Sequence, residues 1–149
     1  MSDLRSDDGD GNPNTDNRGA YAAYLDVLYS YQFASFVSID YNTVDYNNGK
    51  KGDGQIPGLV DEVGAFQTSS SALGAGEVRL FTLNLKATNA GTFKYQGDPH
   101  DVTPLNDVLL YSPPAAVGVD LVRLNGGSLT INSGSSGEFT NPNNPYDVN

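Results

Sequence analysis

Residues 76–88 read GEVRLFTLNLKAT, and their alternation decides the fold class. Phe81, Leu83, Leu85 and Ala87 recur at every second position, with Thr82, Asn84, Lys86 and Thr88 between them. A period of two puts the first set on one face of an extended strand and the second set on the other. Val78 and Leu80 stand in the opposite phase, so a bulge or a bend between sheets is expected at Leu80-Phe81. Asn89-Ala90-Gly91 is turn chemistry and TFKYQ (92–96) follows it, so 76–96 reads as a hairpin.

Working outward, AYAAYLDVLY (20–29) places Tyr21, Ala23, Leu25, Val27 and Tyr29 on one face. Its other face, Ala20, Ala22, Tyr24, Asp26 and Leu28, is also fairly apolar, as expected of a strand central in a sheet. FASFVSID (33–40), GLVDEVGAF (58–66), NDVLLYS (106–112) and DLVRLNGGSLTI (120–131) read as further strands, and YNTVDYNNGKKGDGQ (41–55) as a long polar loop. About seven strands separated by Gly, Pro and Asn punctuation indicate an antiparallel β-sandwich. The expected core is Leu25, Val27, Phe36, Ile39, Val63, Leu80, Leu83, Leu85, Val108, Leu110, Leu129 and Ile131.

Composition narrows the function. The 149 residues fit one domain, and 8 Lys+Arg against 18 Asp+Glu give a formal net charge of -10. Such a charge argues against nucleic-acid binding, which needs a basic surface to displace phosphate counterions. Without cysteine there is no disulfide, no thiolate nucleophile and no Cys-based zinc site. The single histidine, His100, rules out a His-rich metal site. No apolar run approaches the ~18 residues of a membrane-crossing helix, and Ser-Asp-Leu-Arg after Met1 shows no signal-peptide pattern.

The runs GAYAAYLDVLY, PGLVDEVGAF, LGAGEVRLFTLNLKATNAGT, QGDPHDVTPLNDVLLY and VRLNGGSLTI together resemble the cohesin-like modules of large bacterial surface proteins. The resemblance spans roughly residues 19–131. It implies a jelly-roll β-sandwich related in fold to carbohydrate-binding modules, and a role in holding dockerin modules. Asn144-Pro145-Tyr146-Asp147-Val148-Asn149 is similar to the opening of a dockerin, whose calcium loop begins Asp-x-Asn-x-Asp-Gly. Here that loop is incomplete. The organisation expected is an Asp/Asn-rich loop with the remnant of a first strand (1–18), the sandwich (19–131), and a linker with the start of a dockerin-like segment (132–149). An edge left open by that short first strand invites strand addition.

Four groups of residues are candidate sites. Asp8, Asp10, Asn12, Asn14 and Asp16 offer hard oxygen ligands at alternating positions, a calcium pattern. Against it, Pro13 occupies the position where an EF-hand loop turns on glycine, and a solvated turn-rich loop explains the same residues. Tyr41 and Tyr46, on the 41–55 loop, are the best placed of the tyrosines for ligand binding by sugar stacking or protein contact. Asp98, His100, Asp101 and Asp107 gather near two prolines, either as a metal or acid/base group or as turn-capping residues. Asp61 and Glu62 are adjacent on a strand and so point to opposite faces, while a cross-strand pairing of Asp26 with Asp61 stays open.

No nucleophile motif accompanies these groups, so the expectation is a non-catalytic module, extracellular or at the cell surface, with calcium as the one possible cofactor. Its expected function is protein–protein attachment through a sheet face or edge, to a dockerin-like module or a copy of itself. A carbohydrate-binding module holding polysaccharide and a filament subunit assembled by strand or tail exchange are the alternatives. Neither nucleic acid nor membrane insertion is expected.

Overall fold

Ala20–Tyr29 forms the strand β1, and its two-sided apolar character follows from its place in the middle of a sheet. One edge pairs antiparallel with β4 (Leu59–Phe66), with Leu25 opposite Val63 and Val27 opposite Val60. The other edge is shared. Its first half pairs with β7 (Val108–Leu110), its second with β6 (Gly91–Asp98). The computed structural model describes residues 1–12, 15–101 and 108–133, and its strands are antiparallel throughout. Asn14, Asp107, residues 134–149 and with them the dockerin-like Asn144–Asn149 lie outside the described residues.

The larger sheet runs β3-β4-β1-β6-β9, where β3 is Asn48–Asp53 and β9 is Gly126–Ile131. A two-residue strand β8 (Ala116–Val117) flanks β7. The second sheet has two strands, β2 (Ala34–Tyr41) and β5 (Phe81–Ala87), with Ala34 opposite Ala87 and Tyr41 opposite Phe81.

Three expectations change. The hairpin over 76–96 does not form: β5 pairs with β2, β6 pairs with β1 and β9, and the Asn89-Ala90 turn carries the chain from one sheet to the other. The polar stretch 41–55 is not all loop, because NGKKGD (48–53) becomes the edge strand β3, every residue of it exposed. The segment 120–131 divides into a 3-10 turn at Val119–Leu121 and β9. The phase change at Leu80-Phe81 coincides with the start of β5.

Side chains from both sheets meet in the core. Val27, Tyr29, Ala34, Val60, Val63 and Phe93 are buried, and Phe36, Ile39, Leu83, Leu85 and Ile131 pack against them. Val60 and Val63 are fully buried, and each such side chain contributes about 1.5–3 kcal/mol by leaving water. A second cluster holds Ala23, Tyr46, Ala65 and Leu80, with Met1 and Val108 against it. Of the expected core, Leu129 is 44% exposed and Leu110 belongs to neither cluster.

The amino terminus is tied into this second cluster. The Met1 ammonium donates to the Val78 carbonyl at 2.8 Å, the Val78 amide to Met1 O at 2.7 Å, and the Asp3 amide to Ala75 O at 3.2 Å. The backbone of Met1 and Asp3 is therefore paired with Val78 and Ala75, upstream of β5, while the Arg5 guanidinium donates to Ser112 O at 2.8 Å.

Candidate functional site

The Asp/Asn-rich loop uses its carboxylates locally. Asp8 is buried; its Oδ1 accepts the Asp10 amide at 3.1 Å and its Oδ2 the Asn17 amide at 2.7 Å. Asp10 accepts the Asn12 amide, the Thr15 hydroxyl and the Asn17 side-chain amide. Asp16 forms an ion pair with Arg18, whose guanidinium and backbone amide hold its carboxyl down at about 2. These are the Asx-type bonds by which Asp stabilises turns.

The two tyrosines do not form an exposed pair. Tyr46 is 1% exposed, and its hydroxyl donates to Ala20 O at 2.9 Å. Burial pushes that phenol up to about 12. Tyr41 is half-buried, with its hydroxyl donating to Lys51 O at 2.7 Å. The sequence places both on a solvent-facing loop; the chain instead folds that loop back against β1, so a polar neighbourhood in sequence does not expose Tyr46.

Acids that are far apart in sequence meet instead on the outer face of the larger sheet. Alternation from Val27, Val60 and Gly97 turns Asp26, Asp61 and Asp98 away from the core. Asp53 of β3 lies opposite Asp61 of β4, and Asp26 of β1 opposite Asp98 of β6. Between Asp61 and Asp26 the ladder is irregular: β1 has one residue, Asp26, where β4 has two, Asp61 and Glu62. Glu62 takes φ +46, and its amide donates to Asp26 Oδ1 at 2.7 Å. The bulge thus re-aims Glu62, so the expected opposition of Asp61 and Glu62 does not hold as in a regular strand. Glu62 is buried, pairs with Lys51 through Oε2, and leaves Oε1 buried without a hydrogen-bond partner.

One carboxylate oxygen each from Asp26, Asp61 and Asp101 lies within 4.8 Å of the others. Asp26 is 6% exposed. Burial, followed by the charges of Asp61, Asp101 and Asp98, pushes its carboxyl up to about 6, with His100 pulling the other way. Like charges side by side across strands are destabilising, so this row is an anomaly that a plain solvated sheet face does not need. The sequence carries a signal for it: AYAAYLDVLY has one acid and GLVDEVGAF two in the middle of an apolar strand. What it lacks is the register that brings them together. Three carboxylates converging on one point suit a hard cation.

A second feature lies at the edge of the smaller sheet. Tyr41 and Phe36 of β2 reach β3 and Gly54, the latter so closely that a Cβ there would meet the Phe36 ring. The smaller sheet has two strands against the path of five, β3-β4-β1-β6-β9, in the larger one. Phe93 faces the core, so Tyr95 and their partners Leu129 and Gly127 share that inner face. Tyr95 is 46% exposed and Leu129 44%, and Gly127 leaves room for the Tyr95 ring above it. In the smaller sheet no described residue pairs with the outer edge of β5.

The chain matches no protein-family model, no curated protein and no solved structure.

Proposed function

We propose that this chain is a non-catalytic attachment module, extracellular or at the cell surface, that holds a partner protein by taking an extended segment along the outer edge of β5. The observations that carry this reading are the β5 edge with which no described residue pairs and the half-exposed Tyr95 and Leu129 on the inner face of the facing sheet. Strand addition draws affinity from main-chain hydrogen bonds and specificity from alternate side chains set into pockets. Three other edges are blunted. β3 carries Lys50 and Lys51 and irregular pairing, β2 is bulged at Val37, and β9 opens with two glycines. Lysines and bulges at an edge discourage pairing. β5 is seven residues long, without proline, and its neighbour carries the bulge.

The two-sheet architecture is then a cohesin-like jelly roll, supported by the sequence resemblance and by the sheet-to-sheet crossing between β5 and β6. The partner is a segment of another protein that is neutral or basic, because two copies at -10 each repel one another.

The test uses a synthetic Lys-Val-Thr-Val-Lys-Val-Thr-Val peptide and amide hydrogen exchange. Peptide binding should slow exchange in residues 81–87, and Leu129→Asp should abolish the effect. Slowed exchange at β3 or β9 instead, or none at millimolar peptide, overturns the reading. Sedimentation of the chain alone is the control. Assembly through β5 would replace the foreign partner with a second copy.

A further inference from the structure

We propose that Asp26, Asp61 and Asp101 bind a calcium ion on the outer face of the larger sheet. Their three oxygens lie no more than 4.8 Å apart. One ion bonded to oxygens at about 2.3–2.6 Å can reach three oxygens that close together. The donors are all carboxylate oxygens, which suits a hard ion with flexible coordination.

Two observations beyond the clustering point to a ligand. Asp26 is more than nine-tenths buried and directs an oxygen into the cluster, yet no Lys or Arg among the described residues pairs with it, the favourable charge acting on it being that of His100. A buried carboxylate is ordinarily paired or coordinates a metal. Beside it, Glu62 has its amide on Asp26 Oδ1 and keeps a buried, unpartnered Oε1. Buried oxygens without partners are few in native proteins, and an ion is one of their standard explanations. Lys51 neutralises Glu62 from the β3 side. The remaining charge, on Asp26, Asp61 and Asp101 with Asp98 alongside in register, is what a divalent ion would offset.

The bulge makes the site possible. A regular β4 would continue the strict alternation past Asp61. The extra residue, with Glu62 in the left-handed region, lets the Glu62 amide hold the Asp26 carboxylate in place. Asp101 arrives from the segment after β6, so the ion would fasten that segment to β1 and β4.

The experiment is calorimetric titration of the full chain with calcium chloride after chelator treatment, with thermal unfolding in parallel. One ion should bind per chain with a dissociation constant below about 1 mM, and the ion should raise the unfolding temperature. Asp61→Asn and Asp101→Asn, both at positions with solvent access, should each weaken binding about tenfold or more. The double variant Asp10→Asn/Asp16→Asn should keep it within about twofold, because those acids serve turns and Arg18. No heat and no thermal shift at about 10 mM calcium would overturn the proposal, as would tighter binding of magnesium than of calcium. So would loss of binding in the Asp10/Asp16 variant with retention in Asp61→Asn, which would move the ion to the amino-terminal loop.

Discussion

The amino-terminal loop and the outer face of the larger sheet are both acidic, and they use their acids in opposite ways. In the loop, Asp7, Asp8, Asp10 and Asp16 lie within ten residues and each accepts a nearby backbone amide. On the sheet, Asp26, Asp53, Asp61 and Asp98 come from four strands, and the register sets their carboxylates side by side. Sequence neighbours settle local backbone needs, because a short polar side chain reaches its own turn before anything else. Sequence-distant acids can be gathered only by the tertiary structure, which must bear their repulsion. A dense acidic run is therefore poor evidence for an ion, and isolated acids inside apolar strands are better evidence.

The largest effect should come from breaking the scaffold of the row. A Cβ on Gly64 would come within 2.1 Å of Ala23 O and 2.7 Å of Tyr24 Cα, both backbone atoms. Gly64→Ala should therefore force β4 away from β1 and cost about 3 kcal/mol or more in urea unfolding. The matching change in the loop, Gly9→Ala, meets no atom within 4 Å, and only its φ of +74 opposes it. It should cost about 1 kcal/mol. Equal losses would mean that the β1–β4 contact yields more easily than its geometry indicates.

Next comes Asp8→Ala. Asp8 is buried and holds the amides of Asp10 and Asn17, the latter nine residues away along the chain, so its removal leaves two donors without their acceptor. The expected loss is about 2 kcal/mol by chemical denaturation, with no change in calcium affinity. An unchanged midpoint would show the loop to be independent of the rest of the fold.

The same division between local and long-range order separates what the residues alone make legible from what they do not. Strand β1 is legible to its ends, and β2, β4 and β6 to within two residues, because their apolar alternation is strong. Strand β3 is not, since NGKKGD has no alternation to read; it is a strand only because β4 offers it a ladder. Asn89-Ala90-Gly91 is legible as a turn, but local chemistry does not name the strand that pairs next. Tyr46 reads as exposed because its neighbours are polar, and its burial comes from a hydroxyl reaching Ala20, 26 residues away. Asp26 and Asp61 are visible as a possible cross-strand pair, while the third partner, Asp101, joins them only in the fold.

Acid titration distinguishes the regions a third way. Asp3, beside the loop, has a nearly buried side chain that accepts bonds from Arg5 and from the Gly19 amide. The Arg5 guanidinium is the main cause that holds its carboxyl at about 2, below the usual 3.8. A depressed folded-state value stabilises the fold above the unfolded value, and the gain is lost as pH falls through about 3.8 toward 2. Wild type should lose about 2 kcal/mol across that window relative to Asp3→Asn. Parallel curves for the two proteins would mean that the Asp3–Arg5 pair adds nothing to the native state.

The smallest effect should also have the opposite sign. Asp26→Asn keeps an oxygen that can accept the Glu62 amide, and it places a neutral donor next to the Asp61 and Asp101 carboxylates. In the presence of a chelator it removes one member of a like-charge row, so the variant should be more stable than wild type by about 1 kcal/mol. Calcium should reverse the order, because it stabilises the wild-type fold through a ligand that the variant has weakened. Most substitutions of a buried polar residue destabilise whatever the buffer, so a crossing of the two proteins between chelator and calcium is hard to obtain by accident. A loss of stability in chelator would show that the Asp26 carboxylate is favourably held in the ion-free fold, and the contrast between the two acidic regions would fail at its centre.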